Sequence, residues 1–402
     1  MTTEISEALA RRLLITSQGL GEPWELPEGA EGTAEVIDRL GYVQIDTISV
    51  IVRAHHHVIW SRHPEYEPDM IYHLLKKRQV FEFWAHAASY LPISDYRFYL
   101  PAMKNYARRD RTRKWIRDNR KIVKTVLERI ESEGPLASSD FKTPKGSRGT
   151  WWNWKPAKRA LEVLLGSGKL MVSERRKFQR LYDLTERVLP GHVDTSEPTG
   201  TEAGRFIVRR VLGAQGISND LPMVRWSFNG KLVKAVLDEM LEEGELEEVR
   251  VEGLKTDYLA LAGTIDEMSI GDIPGRIHIL SPFDNMAIWR ARLRELFNFD
   301  YSLECYRRSE DRVYGYFCLP IMWGDRFVGR LDSKADRRVR VFRLVNLVLE
   351  KNLSDYDELI PQLVSKISDL ARFNGCESVE LERIEPRSIK SRFEEELENR
   401  AS

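Results

Sequence analysis

The sequence predicts an α+β chain of tandem winged-helix modules ending in a β-rich, barrel-like domain. Three observations predict it. A helix, a glycine and a short strand recur at 33–51, 157–174 and 233–250. The later two copies carry a further helix upstream (119–133 and 201–213) and a second strand downstream (176–185 and 254–263). Helix, turn, helix and two-stranded wing is the winged-helix order, and three copies argue against chance. From about 276 the texture changes to short β-type runs broken by turn residues.

The elements follow in order. Residues 4–17 read as an amphipathic helix with Ile5, Leu9, Leu13 and Leu14 on one face. A Gly/Pro/Glu-rich loop leads to a helix over 33–40, stopped at Gly41. YVQIDTISVI then alternates and is β-branched, so it reads as a strand. The second and third copies break at Gly168 and Gly244. Past 276, RIHILSPF, RVYGYFCLPIMW, RFVGRL and RVRVFRLVNLVL are separated by Gly324-Asp325 and Lys334-Ala335-Asp336. A helix at 355–373 and a strand at 378–384 complete a small barrel or strongly bent sheet. The expected division is 1–110, 111–195, 196–275 and 276–402. No long linker separates these units, so they should pack into one body.

At 402 residues the chain suits two to four compact units. Its 62 basic and 62 acidic side chains cancel, so net charge gives no sign of a polyanionic partner. The distribution does. KNYARRDRTRKWIRDNRKIVK (104–124) holds ten basic residues against two acidic ones. So one-sided a run calls for a counter-anion, and duplex phosphate is the obvious one. Cys305, Cys318 and Cys376 lie far apart without CxxC spacing and read as free thiols in a reducing cytoplasm. The N-terminus lacks the apolar core of a signal peptide, and no apolar run approaches the roughly 20 residues of a membrane span. The expectation is a cytoplasmic protein with no membrane partner.

Four stretches could carry chemistry. In YVQIDTI, strand alternation would point Gln44 and Asp46 to one face. A carboxylate can take a proton from water or steady a positive sugar centre, while an amide holds that water. A polar pair on a solvent face is the plainer reading of the same spacing. In RAHHHVIWSRHPEYEP, a strand would aim His56 away from His55 and His57, and no HExxH or carboxylate sits at ligand spacing, so no metal is expected. These histidines would either line the site or serve as hydrogen-bonded structure. In QVFEFWAHAASYLP, a helix would bring Glu82 and His86 to one face beside Phe83 and Trp84, as core or as a pocket wall. In TWWNWKPAKRAL, Pro156 opens a helix carrying Lys155, Lys158 and Arg159 at a recognition position, with Trp151, Trp152 and Trp154 as corner packing. Arg175, Arg176, Lys177 and Arg180 lie on the wing that follows. Together with Arg108, Arg109, Arg111 and Arg113 they are the expected DNA contacts. A winged-helix transcription regulator fits the basic run equally well. Only Gln44 and Asp46 separate it from an enzyme, because a carboxylate facing DNA repels phosphate.

The ordered blocks YVQIDTISVIVRAHHHVIWSR, VFEFWAHAASYLP, WWNWKPAKRALEVLL, SPFDNMAIWRARLRELFNFDYSLECY and YGYFCLPIMWGDRFVGRLDSKADR resemble the YcaQ/AlkZ family of winged-helix DNA glycosylases. The resemblance runs from about residue 5 to about residue 390. It implies a C-shaped body of tandem winged helices closed by a β-barrel. It also implies excision of alkylated purines, with unhooking of interstrand crosslinks in several members. The family motif is Gln–apolar–Gln or Gln–apolar–Asp. Gln44-Ile45-Asp46 has the second form, similar to the branch for general alkylation and crosslink repair. The resemblance implies that Asp46 activates water or steadies the sugar cation and that Gln44 positions water or nucleotide. It implies a monofunctional glycosylase, without a Schiff-base lysine or any cofactor, acting on double-stranded DNA as a monomer and nucleoid-associated when bound.

Overall fold

A computed structural model describes residues 2–141, 156–219, 230–267 and 273–401. The chain opens with a strand, β1 (Thr2–Ile5), that pairs in parallel with Glu248–Val251. Helix α1 (Glu7–Ser17) follows, with the Ser6 hydroxyl accepting the Leu9 N–H at 3.2 Å and Ala10, Leu13, Leu14 and Ile15 buried. Residues 4 and 5 thus leave the predicted helix, because Ser6 caps it and the preceding backbone finds a sheet edge.

The first small sheet is built from α2 (Gly29–Leu40), β2 (Val43–Gln44), α3 (Ala54–Trp60), α4 (Pro68–Lys76), β3 (Val80–Trp84) and β4 (Ala88–Pro92), with strand order β2–β4–β3. Two expectations change here. The strand expected over 42–51 is two residues long. After Ile45 N–H bonds Ala88 O at 2.8 Å, the Asp46 side chain accepts the Ile48 N–H at 2.7 Å and turns the chain away. The helix expected within 79–97 is a hairpin, since Val80, Phe81, Phe83, Tyr90 and Leu91 are buried on a pleated sheet.

The second unit runs through α5 (Tyr96–Arg108), α6 (Asp110–Asp118), α7 (Arg120–Glu133), β5 (Leu136–Ala137), α8 (Pro156–Gly166), β6 (Leu170–Arg176) and β7 (Gln179–Leu184), with order β5–β7–β6. After α9 (Thr185–Val188), the third contains α10 (Gly200–Gln215), β8 (Ile217–Ser218), α11 (Gly230–Glu242), β9 (Leu246–Val251) and β10 (Tyr258–Leu261), with order β1–β9–β10–β8. In each unit a helix ends in a short strand, and a later helix feeds a two-stranded wing. The joint from helix to wing is left-handed at Gly168 (φ 71°), Gly244 (φ 73°) and Arg78 (φ 62°). The first counterpart of 157–174 is therefore 68–84. Residues 29–44 instead match 120–137 and 200–218, whose helices end at Gly41, Gly134 and Gly216.

The C-terminal part holds α12 (Thr264–Glu267), β11 (Ile277–Ile279), α13 (Arg290–Phe297), β12 (Leu319–Trp323), β13 (Arg326–Asp336), β14 (Val341–Leu349), α14 (Tyr356–Phe373), β15 (Ser378–Leu381), β16 (Ile384–Glu385) and α15 (Lys390–Ala401). Strands order as β11–β12–β13–β14–β15, with β16 also on β14. The sheet is open: among the described residues β11 and β15 stay unpaired at its edges, so it is barrel-like in bend but not closed. Register shifts at Ile321/Met322 and Asp332/Ser333 mark the bends. Residues 334–336, expected as a turn, lie within β13. Leu359, Leu363, Ile367 and Leu370 of α14 are buried in an apolar cluster that also holds Val36 and Val58 of the first unit, Leu161 of the second and Leu347 of β14. The units share cores and form one body.

Candidate active site and nucleic-acid interface

Gln44 pairs with Ser89 across β2 and β4, beside the turn in which Ala85 N–H bonds Ala87 O at 2.9 Å. His86, at the tip of that turn, donates from Nε2 to Gln44 Oε1 at 2.8 Å. Its ring sits 5.0 Å from Tyr42 and 5.4 Å from Trp289, centroid to centroid. Burial lowers the His86 pKa to about 4, so the ring is neutral at physiological pH. Its Nδ1 is buried without a partner among the described residues, which places the proton on Nε2. With its carbonyl engaged by His86, Gln44 is left with an amide N–H₂ that has no hydrogen-bond partner among the described residues.

Asp46 is half-buried two residues on. Burial raises its carboxyl pKa, against the lowering effects of the Ile48 and Thr47 N–H groups and of Arg53. A carboxylate held above the ordinary range is a stronger base than a solvated one. Burial, with a smaller contribution from the Asp46 charge, raises the pKa values of Cys305 and Tyr306 in the C-terminal part. Behind the strand, Asn285 donates to Tyr42 O at 3.1 Å, and the fully buried Arg62 and Asp284 pair at 2.7 and 2.9 Å. Buried Arg292 holds the carbonyls of Asn285 and Met286 at 2.8 and 3.1 Å. The stretch SPFDNMAIWR thus fixes the entry to the Gln44 strand. Sequence reasoning missed Tyr42, Asn285 and Trp289. The signal was an Asp–Asn pair inside an apolar run, which marks a buried polar network.

The other expected site residues divide. His55, His56 and His57 are buried at 0, 5 and 0% exposure on α3. The His55 and His56 rings pack against each other, 4.2 Å between centroids. His55 stacks on Phe178, His56 Nδ1 bonds the Tyr66 hydroxyl at 2.8 Å, and His57 Nε2 donates to Ile279 O at 2.8 Å. They brace packed elements and do not line the site. Among the described residues no group of three or more His, Cys, Asp or Glu is arranged to hold a metal ion. Trp84 is 38% exposed at the end of β3.

Two of the expected DNA contacts are partly buried and engaged by a carboxylate inside the protein. Arg175 bonds Glu82 at 2.5 and 2.8 Å, and Arg180 bonds it at 2.7 Å. The Arg175 side chain is 2% exposed, too little to reach a phosphate. Phe178, at the tip of the same wing, lies under Arg53 and Arg175 at 4.0 and 4.5 Å. This wing is docked on the first unit, and of its four basic residues only Arg176 and Lys177 are exposed. Arg108, Arg109, Arg111 and Arg113 are exposed at the end of α5 and on α6. Arg108, Arg111, Arg113, Lys114, Arg120 and Lys121 make no ion pair among the described residues. Lys158 is exposed and Arg159 half-buried on α8. Lys155 and the three tryptophans before it lie outside the described residues.

Three helix-and-wing units with a row of exposed arginines make this a DNA-handling fold. Residues 37–373 match the family described as DNA glycosylase AlkZ-like. The chain belongs to the AlkZ-like DNA glycosylase family and is a hydrolase of N-glycosyl bonds in DNA. Streptomyces sahachiroi DNA glycosylase AlkZ has a similar fold, with a TM-score of 0.64 at 17% identity over 95% of this chain and 100% of that chain. No described helix is long and apolar enough to cross a membrane.

Proposed function

We propose that this glycosylase is monofunctional, excises N7-alkylated cationic purines, and unhooks interstrand crosslinks. The supporting observation is the amide of Gln44, oriented by His86, two residues before the half-buried carboxylate of Asp46. Alkylation at N7 puts a positive charge on the purine, so the base already leaves readily. The remaining tasks are to steady the sugar cation and deliver water. Asp46 does the first by its charge and the second by taking a proton as water attacks C1′. The Gln44 amide donates to the water oxygen and holds it on that face. The products are the free base and an abasic site. No lysine is needed, since no Schiff base forms. The exposed arginines of α5 and α6 hold the phosphates, and the protein acts as a monomer on duplex DNA.

Two substrates test the reading. One duplex carries a single N7-methylguanine and another a single nitrogen-mustard crosslink. The expected result is release of free 7-methylguanine and conversion of the crosslink to separable strands, each leaving an alkali-labile site without a nick. No release from either, or nicking by β-elimination, would overturn it.

A further inference from the structure

Arg62 lines a cavity of about 500 Å³ whose walls come from the loop after α1, the end of α3, β11, α14 and α15. The cavity shares no residue with the Gln44–Asp46 site or with α6. Gln362, Ser365, Lys366 and Asp369 recur at helical spacing, so α14 turns a polar face to it. Pro23, Pro64 and Pro361 give it apolar walls. Its charges are unevenly matched. Arg62 is engaged by Asp284, Arg276 by Glu22 at 3.2 Å, and Asp369 by Arg372. Lys366 and Arg400 make no ion pair among the described residues. Lys366 is half-buried, and its ammonium rests over the Trp60 ring, 4.2 Å from the centroid. Burial lowers its pKa, against the opposing effect of Asp369. His278 of β11 is a second orphan. Both its ring nitrogens are buried, and neither has a hydrogen-bond partner among the described residues. Burial, and then the Lys366 charge, lowers its pKa to about 3, against smaller effects of the Leu20 backbone and Asp284. The ring is therefore neutral and has one N–H to give. A shielded ammonium beside an unsatisfied imidazole is costly unless an anion joins them.

We propose that this cavity is a second site, remote from the chemistry, that binds a small phosphomonoester. Lys366 and Arg400 supply two unpaired cations. His278 and the Ser365 hydroxyl supply neutral donors. Such a set suits a dianion with three acceptor oxygens, which a phosphomonoester has and a carboxylate lacks. The volume admits a ligand of mononucleotide size and no duplex, and the prolines cover its organic body. A free nucleotide and the 5′ end of a DNA strand carry the same group, and the experiment tells them apart. The inference is independent of the reaction at Asp46.

The full chain is titrated by calorimetry at constant ionic strength, with its DNA face filled by undamaged duplex bearing 5′-hydroxyl ends. The probes are inorganic phosphate, deoxyguanosine 5′-monophosphate and a 5′-phosphorylated tetranucleotide. Phosphate should bind at one site with a Kd of about 10 mM or lower, and the nucleotide more tightly. Lys366→Met should weaken both by about 10-fold or more, the scale of one charge-assisted hydrogen bond. Lys366→Arg should recover part of that loss. Its melting temperature should hold or rise in Lys366→Met, because the ammonium removed had no countercharge. Should it fall instead, Arg400→Gln carries the test: this side chain is exposed, and its loss should weaken binding by roughly 2- to 5-fold. Arg111→Ala/Arg113→Ala should change nothing. Binding of the nucleotide without the tetranucleotide identifies a free ligand, and binding of both identifies a strand end; either supports the site. No nucleotide binding at that concentration, an affinity indifferent to both Lys366→Met and Arg400→Gln, or displacement of phosphate by the duplex would overturn the proposal.

Discussion

His86 Nε2 donates to Gln44 Oε1 at 2.8 Å, and this bond decides which end of the amide faces outward. Replacing His86 by alanine frees the amide to rotate. We expect excision to fall about 10-fold, the scale of one buried neutral hydrogen bond, with duplex affinity unchanged. His86→Asn should recover part of the loss, since its amide can donate in turn. Equal rates for parent and His86→Ala in single-turnover release of N7-methylguanine would show that the orientation is irrelevant.

The buried carboxylate of Glu82 neutralises Arg175 and Arg180 together. Glu82→Gln leaves the Arg175 guanidinium without a countercharge and Arg180 with Glu162 alone, at a cost of about 3–5 kcal/mol. The melting temperature should drop clearly. Arg175→Met should lower stability while leaving the salt dependence of DNA binding untouched, because Arg175 meets no phosphate. A changed salt slope in Arg175→Met would place it back on the DNA.

How much of this is legible in the sequence follows from single residues. The repeat is visible, but the register of its first copy is not. Arg78 takes the left-handed position that Gly168 and Gly244 hold in the other units. A non-glycine there hides the joint, and Gly41 marks a helix that ends elsewhere in the repeat. The proposed roles of Gln44 and Asp46 rest on the motif and not on alternation, since the strand ends before Asp46. The partner of Arg175 lies 93 residues away, a distance that charge counting cannot cross. The same holds for β1, whose pairing with β9 no local pattern announces. Helical spacing puts His86 near the site for a different reason, as the neighbour of Glu82. The hairpin separates those two and delivers His86 to Gln44 instead.

The exposed arginines of α6 should set the electrostatic part of binding. The slope of log K against log salt falls by about 0.9 for every phosphate that a substitution leaves unneutralised. Arg111→Ala/Arg113→Ala should reduce the slope by roughly 1 to 2 on undamaged duplex, with little change in thermal stability. A slope identical to the parent's would move the DNA path off this helix.

The buried histidines make stability fall with acid. Burial holds His56 at about 3 and His57 at about 4, with His55 also well below its ordinary value of 6.5. The unfolded chain therefore takes up protons that the folded one refuses as pH drops below 6.5. Stability is full above that pH and is lost progressively towards about 4, at up to about 1.4 kcal/mol per pH unit for each histidine. Melting temperatures between pH 7.5 and 4.5 should trace this decline. His56→Gln should flatten it, because one titrating group is removed. A melting curve that is flat from pH 7 to 5 would contradict the burial.

Asp46→Asn removes a charge and keeps the shape. The variant retains the acceptor for the Ile48 N–H, so the turn at 46–48 should survive and the fold with it. Duplex affinity should hold or improve, because a negative group facing phosphate is gone. Excision should slow by on the order of 10²-fold or more, the usual scale for losing a general base. The pH profile gives an independent readout. The working form is the carboxylate, and burial raises its pKa above the ordinary value of 3.8. The parent rate should therefore climb with pH through a limb displaced upward from that of a free carboxyl, and Asp46→Asn should lose the limb altogether. Gln44→Ala, which removes only the positioning group, should slow excision less and keep the limb. Release of N7-methylguanine by Asp46→Asn at the parent rate would make this carboxylate a turn-forming residue and move the chemistry elsewhere in the protein.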